Sequence, residues 1–130
     1  GLVSMEYFRV SGIYDSVTAE MERAANIAIE YSMIDEARGY HISEIDPDIA
    51  AQQFDLYFRT RLGLGREYQK NDDEGAIVYQ VAFDSHDIDA EKSQILMQGD
   101  IYITMRLVGN YITGISMPFN IKTRNVNIID

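Results

Sequence analysis

Hydrophobic residues in the first third of the chain recur alternately four and three positions apart. This heptad spacing places them along one side of an α-helix. The pattern predicts a long helix over residues 2–38, which at 1.5 Å per residue is about 55 Å long. We expect Gly39 to end the helix, because glycine readily adopts the left-handed conformation of a helix C-terminus. The stripe consists of Val3, Tyr7, Val10, Tyr14, Val17, Met21, Ala24, Ala28 and Tyr31.

A second helix is predicted over residues 46–62. Asp46 is a suitable N-cap, Pro47 fits the first helical position, and Gly63 follows the last residue with helical spacing. The connection between the two helices is short, so we expect the second helix to fold back onto the first.

The hydrophobic period changes after Gly75 from helical to alternating, which is typical of strands. Strands are predicted over residues 76–83, 95–108 and 111–123. Gly99 suggests a bulge or bend, Gly109-Asn110 a hairpin turn, and Pro118 an edge position or a bulge. The predicted fold is a single α+β domain over residues 1–130, with a long and a shorter helix packed on an antiparallel sheet of three to four strands within residues 76–125.

Composition narrows the function classes. The 130 residues include 11 Lys and Arg against 21 Asp and Glu, a net charge of −10 that disfavours nucleic acid as a partner. There is no cysteine, which excludes disulfides and thiolate chemistry. The sequence contains no apolar run of the length that crosses a bilayer and no signal-peptide pattern.

The densest polar cluster follows the first predicted strand and is interpreted as an exposed connection. Its carboxylates Asp84, Asp87 and Asp89 are the candidates for a cation site, but their spacing does not match a calcium-binding loop. Residues 71–75 are interpreted in the same way, as a solvated turn. We therefore expect no metal and no cofactor.

No catalytic arrangement is predicted, so we expect a protein that is not an enzyme. His41 and His86 both fall in predicted loops, without a serine or lysine that the sequence places beside them. The glycines of Gly63-Leu64-Gly65 follow a helix and lack the spacing of a phosphate-binding loop, so they indicate a helix end.

The heptad stripe is the most informative feature of the chain. A helix packed on a sheet needs an apolar face, which accounts for the second half of the stripe. The first half is already apolar at the chain terminus, where domains usually fray. We expect residues 2–5 to be the end of a longer hydrophobic segment. The predicted assembly interface is Val3, Tyr7, Val10, Tyr14 and Val17.

The organisation of the chain resembles the soluble part of TadE-like minor pseudopilins, small proteins of Tad-type and related type IV pilus machines. The resemblance rests on Met5–Val10 continuing a helix, the small residues of Ala24–Ala28, the end of the second helix at Tyr57–Leu64, and the C-terminal β-hairpin. It implies a single-pass anchor in the cell membrane, with this domain extracytoplasmic. It also implies other pilin-like subunits or membrane assembly proteins as partners, with a homo-oligomer through the long helix as a further possibility. It assigns no catalytic or ligand-binding residue.

Two alternatives remain open. One is a small-molecule-binding domain of the cystatin-like or NTF2-like kind, in which a long helix lies on a curved sheet. This alternative expects Tyr79, Tyr102 or His86 to face a cavity. The other is an interaction module that binds through the Gly109-Asn110 hairpin.

Overall fold

Two helices pack on one face of a four-stranded antiparallel sheet. The structure is a computed structural model and describes residues 2–36, 46–106 and 112–124. The strands follow one another in the sheet in the order β1-β2-β3-β4. The predicted α+β fold is confirmed. The elements are α1 (Leu2–Glu36), α2 (Pro47–Leu62), β1 (Gln69–Asn71), β2 (Ile77–Asp89), β3 (Gln94–Arg106) and β4 (Ile112–Arg124).

The ends of α2 are those that the sequence predicts. The Asp46 carboxylate accepts hydrogen bonds from the backbone N–H groups of Asp48 (3.0 Å) and Ile49 (3.3 Å). Gly63 has φ +68°, and its N–H donates to the carbonyl oxygen of Arg59. Left-handed backbone at this position favours glycine and ends the helix. The predicted end of α1 at Gly39 lies outside the described residues.

Small residues allow the two helices to approach closely. Ala24, Ala25 and Ala28 of α1 are completely buried, and so are Phe54 and Phe58 of α2, whose rings stack 5.4 Å apart. The last turn of α2 lies near the middle of α1, because the Arg61 guanidinium is 3.5 Å from the Glu20 carboxylate. Since α1 has 35 residues and α2 only 16, α2 covers the C-terminal half of α1 and leaves the first half without a second helix.

The sheet bends where β2 carries an extra residue. Its register with β3 shifts between Phe83 and Ser85, while Gly99 of β3 pairs with Phe83. A Cβ atom on Gly99 would lie 2.0 Å from the carbonyl oxygen of Ala82. The irregularity expected at Gly99 is therefore a bulge in the neighbouring strand, and Gly99 makes room for it.

The acidic segment after Phe83 is part of a strand, so its prediction as an exposed connection is wrong. β2 continues to Asp89, with His86 and Ile88 opposite the buried residues Met97 and Ile95 of β3. Alternation is interrupted by one residue at the bulge and then resumes, and the acidic residues have low strand propensity. Part of the predicted turn at 71–75 also differs, because Gln69–Asn71 pairs with β2 as β1.

Pro118 lies on an edge strand, as predicted. Among the described strands, β4 pairs with β3 only, and the Tyr14 hydroxyl donates a 2.6 Å hydrogen bond to the carbonyl oxygen of Pro118. In an edge strand, proline is tolerated where its nitrogen faces away from the neighbouring strand. At Pro118 the open edge of β4 therefore has no N–H donor, and the carbonyl oxygen there already accepts a hydrogen bond from Tyr14.

Candidate functional site

The first turns of α1 expose large apolar side chains in several directions. Met5, Tyr7 and Phe8 are 68%, 66% and 72% exposed, whereas Val10 is buried. Large apolar side chains that project from a helix in several directions are normally covered by other groups. This part of α1 is therefore the leading candidate for a contact surface.

The two charged residues in these turns are bound to the domain itself. Glu6 accepts hydrogen bonds from Arg9 at 3.0 and 2.9 Å and from the backbone N–H of Arg106 at 2.9 Å. Arg9 also donates to the carbonyl oxygen of Thr104 at 2.6 Å. The hydrogen bond from Arg9 lowers the pKa of Glu6 to about 2, and the Arg106 N–H contributes to this shift. These contacts fix the start of α1 against the end of β3.

The adjoining end of the sheet is also apolar. Ile77, Tyr102 and Ile112 are exposed there, and together with Glu6 and Arg9 they border an open groove of about 700 Å³. We call this part of the molecule the apolar end, defined by Met5, Tyr7, Phe8, Ile77, Tyr102 and Ile112. It combines the start of α1 with the adjacent ends of three strands.

The predicted interface residues do not share one environment. Val10 and Val17 are 5% and 1% exposed, and both belong to the core. Tyr7 is exposed, Tyr14 is half-buried and bonded to Pro118, and the side chain of Val3 lies outside the described residues. Because the sheet covers Val10 and Val17, these two side chains are not free to contact another molecule in this fold. The exposed residues are Tyr7 and its neighbours Met5 and Phe8.

His86 lies on β2 and packs against aromatic residues of the core, so its predicted position in a loop is wrong. Its ring centroid is 4.9 Å from that of Phe54 and 5.6 Å from that of Phe83. Its Nε2 atom is buried and has no hydrogen-bond partner among the described residues. Burial lowers the pKa of His86, and the charges of Asp87 and Asp55 oppose this shift in part. These contacts hold α2 against β2. His41 lies outside the described residues.

The acidic candidates do not converge on a common point. Asp84 and Asp87 are exposed on β2, and Asp89 accepts a 3.1 Å hydrogen bond from the backbone N–H of Lys92. Within the described ranges, no three His, Asp or Glu side chains are grouped so that they could hold a metal ion. Asp72 stabilises the turn before β2 by accepting from the N–H groups of Glu74 and Ala76, both at 2.9 Å.

The structure separates the two tyrosines that the small-molecule alternative expects to face a cavity. Tyr79 is buried between the sheet and α1, whereas Tyr102 is exposed on the opposite face of the sheet.

Sequence reasoning did not single out Tyr68, which has φ +59° and donates a short hydrogen bond to Asp55. The Arg59 guanidinium lies 4.5 Å from the centre of its ring. Tyr68, Asp55 and Arg59 together connect the end of α2 to the start of β1. No sequence motif indicates this cluster.

Comparisons with protein-family models, with curated proteins and with solved structures gave no match for this chain. Among the described residues, neither helix has an apolar stretch long enough to cross a membrane. The class of protein is therefore defined by its architecture, a two-layer α+β sandwich whose long helix begins in an exposed apolar end.

Proposed function

We propose that this chain is the extracytoplasmic, non-enzymatic domain of a membrane-anchored protein similar to the TadE-like minor pseudopilins. Its role is assembly of a pilus or secretion apparatus, through contacts of the first turns of α1 with other pilin-like subunits or membrane assembly proteins. The proposal includes a single anchor in the cell membrane. The exposure of Met5, Tyr7 and Phe8 carries the proposal.

Burial of these side chains would supply a substantial driving force. Moving an exposed Phe or Met side chain out of water contributes about 1.5–3 kcal/mol. Contiguous exposed apolar surface on a soluble domain commonly marks a protein or membrane contact. The bonds of Glu6 and Arg9 to β3 hold this surface in place before any partner binds.

Two exposed acidic residues of β2 lie away from this contact. Asp84 and Asp87 are exposed on the part of β2 that pairs with Gln98 and Leu96, away from the strand ends that adjoin the start of α1. The net charge of −10 keeps the domain soluble and disfavours non-specific association. Association is therefore directed to the apolar end.

The proposal is tested with the product of the complete gene in its native host. Cells are fractionated, and proteins that co-purify with the product are identified after mild cross-linking. We expect the product in the membrane fraction together with pilin-like subunits. The variant Phe8→Asp is expected to lose these partners at least tenfold, because a charge replaces an apolar group in the contact.

Leu56→Asp is the matched control. Leu56 is 61% exposed, lies on α2, and is not part of the apolar end. It should leave partner recovery unchanged, and both variants should keep the circular dichroism of the parent. A wild-type product found only in the soluble fraction would refute the membrane anchor. Equal recovery of partners with Phe8→Asp and with the parent would refute the role of α1.

A further inference from the structure

A second, open groove lies between the first half of α1 and β2, beyond the end of α2. Its volume is about 290 Å³, and Tyr79 of β2 borders it from the sheet. Gly12 contributes no side chain, and no atom lies within 4 Å of the position that its Cβ would occupy. The groove is bordered by Phe8, Arg9, Gly12, Ile13, Ser16 and Tyr79.

The Tyr79 hydroxyl is an unpartnered polar group in this groove. Tyr79 is only 6% exposed, and among the described residues its hydroxyl makes no hydrogen bond. The hydroxyl oxygen is not among the fully buried atoms that lack a partner, so water or a ligand can reach it from the groove. Burial also raises the pKa of Tyr79, so the hydroxyl keeps its proton and can donate it in a hydrogen bond.

Arg9 supplies further donors on the same groove. Its Nε and Nη2 atoms bind Glu6 and the carbonyl oxygen of Thr104. Within the described residues, its Nη1 atom makes no hydrogen bond, which leaves two N–H groups of the guanidinium unused. The groove therefore combines apolar walls at Phe8 and Ile13 with donors at Tyr79 and Arg9.

We propose that this groove binds a small amphiphilic molecule with an apolar body and a carboxylate head group. The carboxylate accepts hydrogen bonds from the Tyr79 hydroxyl and from Arg9, and the body lies along Phe8 and Ile13. A volume of about 290 Å³ is that of about ten water molecules at ~30 Å³ each. A medium-chain carboxylic acid has about this many non-hydrogen atoms. The proposal goes beyond the assembly role and does not depend on it.

Binding is measured by titrating the isotope-labelled chain with octanoate and following its backbone amide resonances by NMR. Octylammonium is the matched control ligand, since it has the same apolar chain and the opposite charge. A protein with net charge −10 attracts octylammonium and repels octanoate at long range. Preference for octanoate, with shifts centred on Gly12, Ser16 and Tyr79, is the expected result.

Three variants separate the groove from the rest of α1. Tyr79→Phe removes the hydroxyl and keeps the ring, so we expect about tenfold weaker binding from the loss of one charge-assisted hydrogen bond. Gly12→Leu places a side chain in the groove and should reduce binding below detection. Ala19→Leu adds the same side chain at an exposed position of α1 outside the groove, and should leave the affinity unchanged.

Four outcomes would overturn the proposal. These are equal binding of octylammonium, unchanged affinity in Tyr79→Phe, binding retained in Gly12→Leu, and shifts confined to the apolar end. The last outcome would mean that the amphiphile only coats Met5, Tyr7 and Phe8. Absence of octanoate binding would overturn the proposal as well. Protection of Gly12 and Tyr79 by a co-purified protein would then assign the groove to a protein partner. None of these outcomes bears on the membrane fractionation experiment.

Discussion

Gly99→Ala tests the close approach of β2 and β3 at the bulge. The added Cβ would lie 2.0 Å from the carbonyl oxygen of Ala82 and 3.0 Å from Cζ of Phe119. Ordinary contact between non-bonded heavy atoms is about 3.5 Å. The two strands would therefore have to separate by about 1.5 Å at this point, because a backbone atom cannot rotate away.

The cost of this separation has two parts. Overpacking of a tight site costs about 1–3 kcal/mol. Stretching the strand pair beside Gly99 weakens backbone hydrogen bonds worth about 1 kcal/mol each. We expect a loss of about 3–4 kcal/mol in the free energy of unfolding, which corresponds to a fall in Tm of roughly 10–15 °C for a domain of this size.

The assay is thermal and urea unfolding followed by circular dichroism, with two other glycine variants as controls. In Gly114→Ala the added Cβ would meet the end of the Tyr102 side chain at 2.0 Å, but this exposed ring can turn away, so a change within about 1 kcal/mol is expected. Gly12→Ala meets no atom within 4 Å and should stabilise the helix by about 1 kcal/mol. A Gly99→Ala protein no less stable than Gly114→Ala would refute the steric argument.

Three further predictions concern pH and the open sheet edge. As pH falls below 6.5, the unfolded chain protonates His86 while the folded protein, with its lowered pKa, keeps it neutral. Stability in urea should therefore decrease over this range, and His86→Phe should remove that part of the decrease. The Glu6 interactions stabilise the protein above pH 4.5, and this contribution should be lost as pH falls through about 2. An NMR titration of the Glu6 carboxyl should show the low pKa, and Arg9→Met should move it toward 4.5; an unchanged pKa in that variant would contradict the assignment. Pro118→Thr combined with Tyr14→Phe restores a donor and frees an acceptor on β4, so light scattering should detect strand-mediated association that is absent from Tyr14→Phe alone.

The parts of the fold with chemically specific signals could be predicted from the sequence. Asp46, Pro47 and Gly63 each suit one backbone position, and α2 begins and ends there. The second half of β2 could not be predicted in this way. One inserted residue at Asp84 changes which positions face the core, and the sequence does not show that Gly99 of another strand accommodates it.

The position of the candidate site on α1 depends on where α2 ends, because α2 packs against only part of α1. Heptad spacing predicts that Val10, Tyr14 and Val17 lie toward one side of α1, and the structure places Val10 and Val17 in the core. The heptad spacing does not show which element packs against that side of α1, or how much of the helix this element buries. The exposure of Phe8 and the groove at Tyr79 arise because α2 ends at Leu62, a consequence of three-dimensional packing.

The unequal support of α1 predicts unequal protection of its amide hydrogens. From Met21 to Ser32 the helix packs against both the sheet and α2, and opening it exposes the buried core. Its first turns are held mainly by Glu6, Arg9 and Val10, so they can open locally at a lower free energy than global unfolding. Amide exchange should therefore be fast near Met5, slow near Ala28, and graded between them. A ligand or partner that binds near Phe8 could then order these turns, while the rest of the domain stays folded throughout.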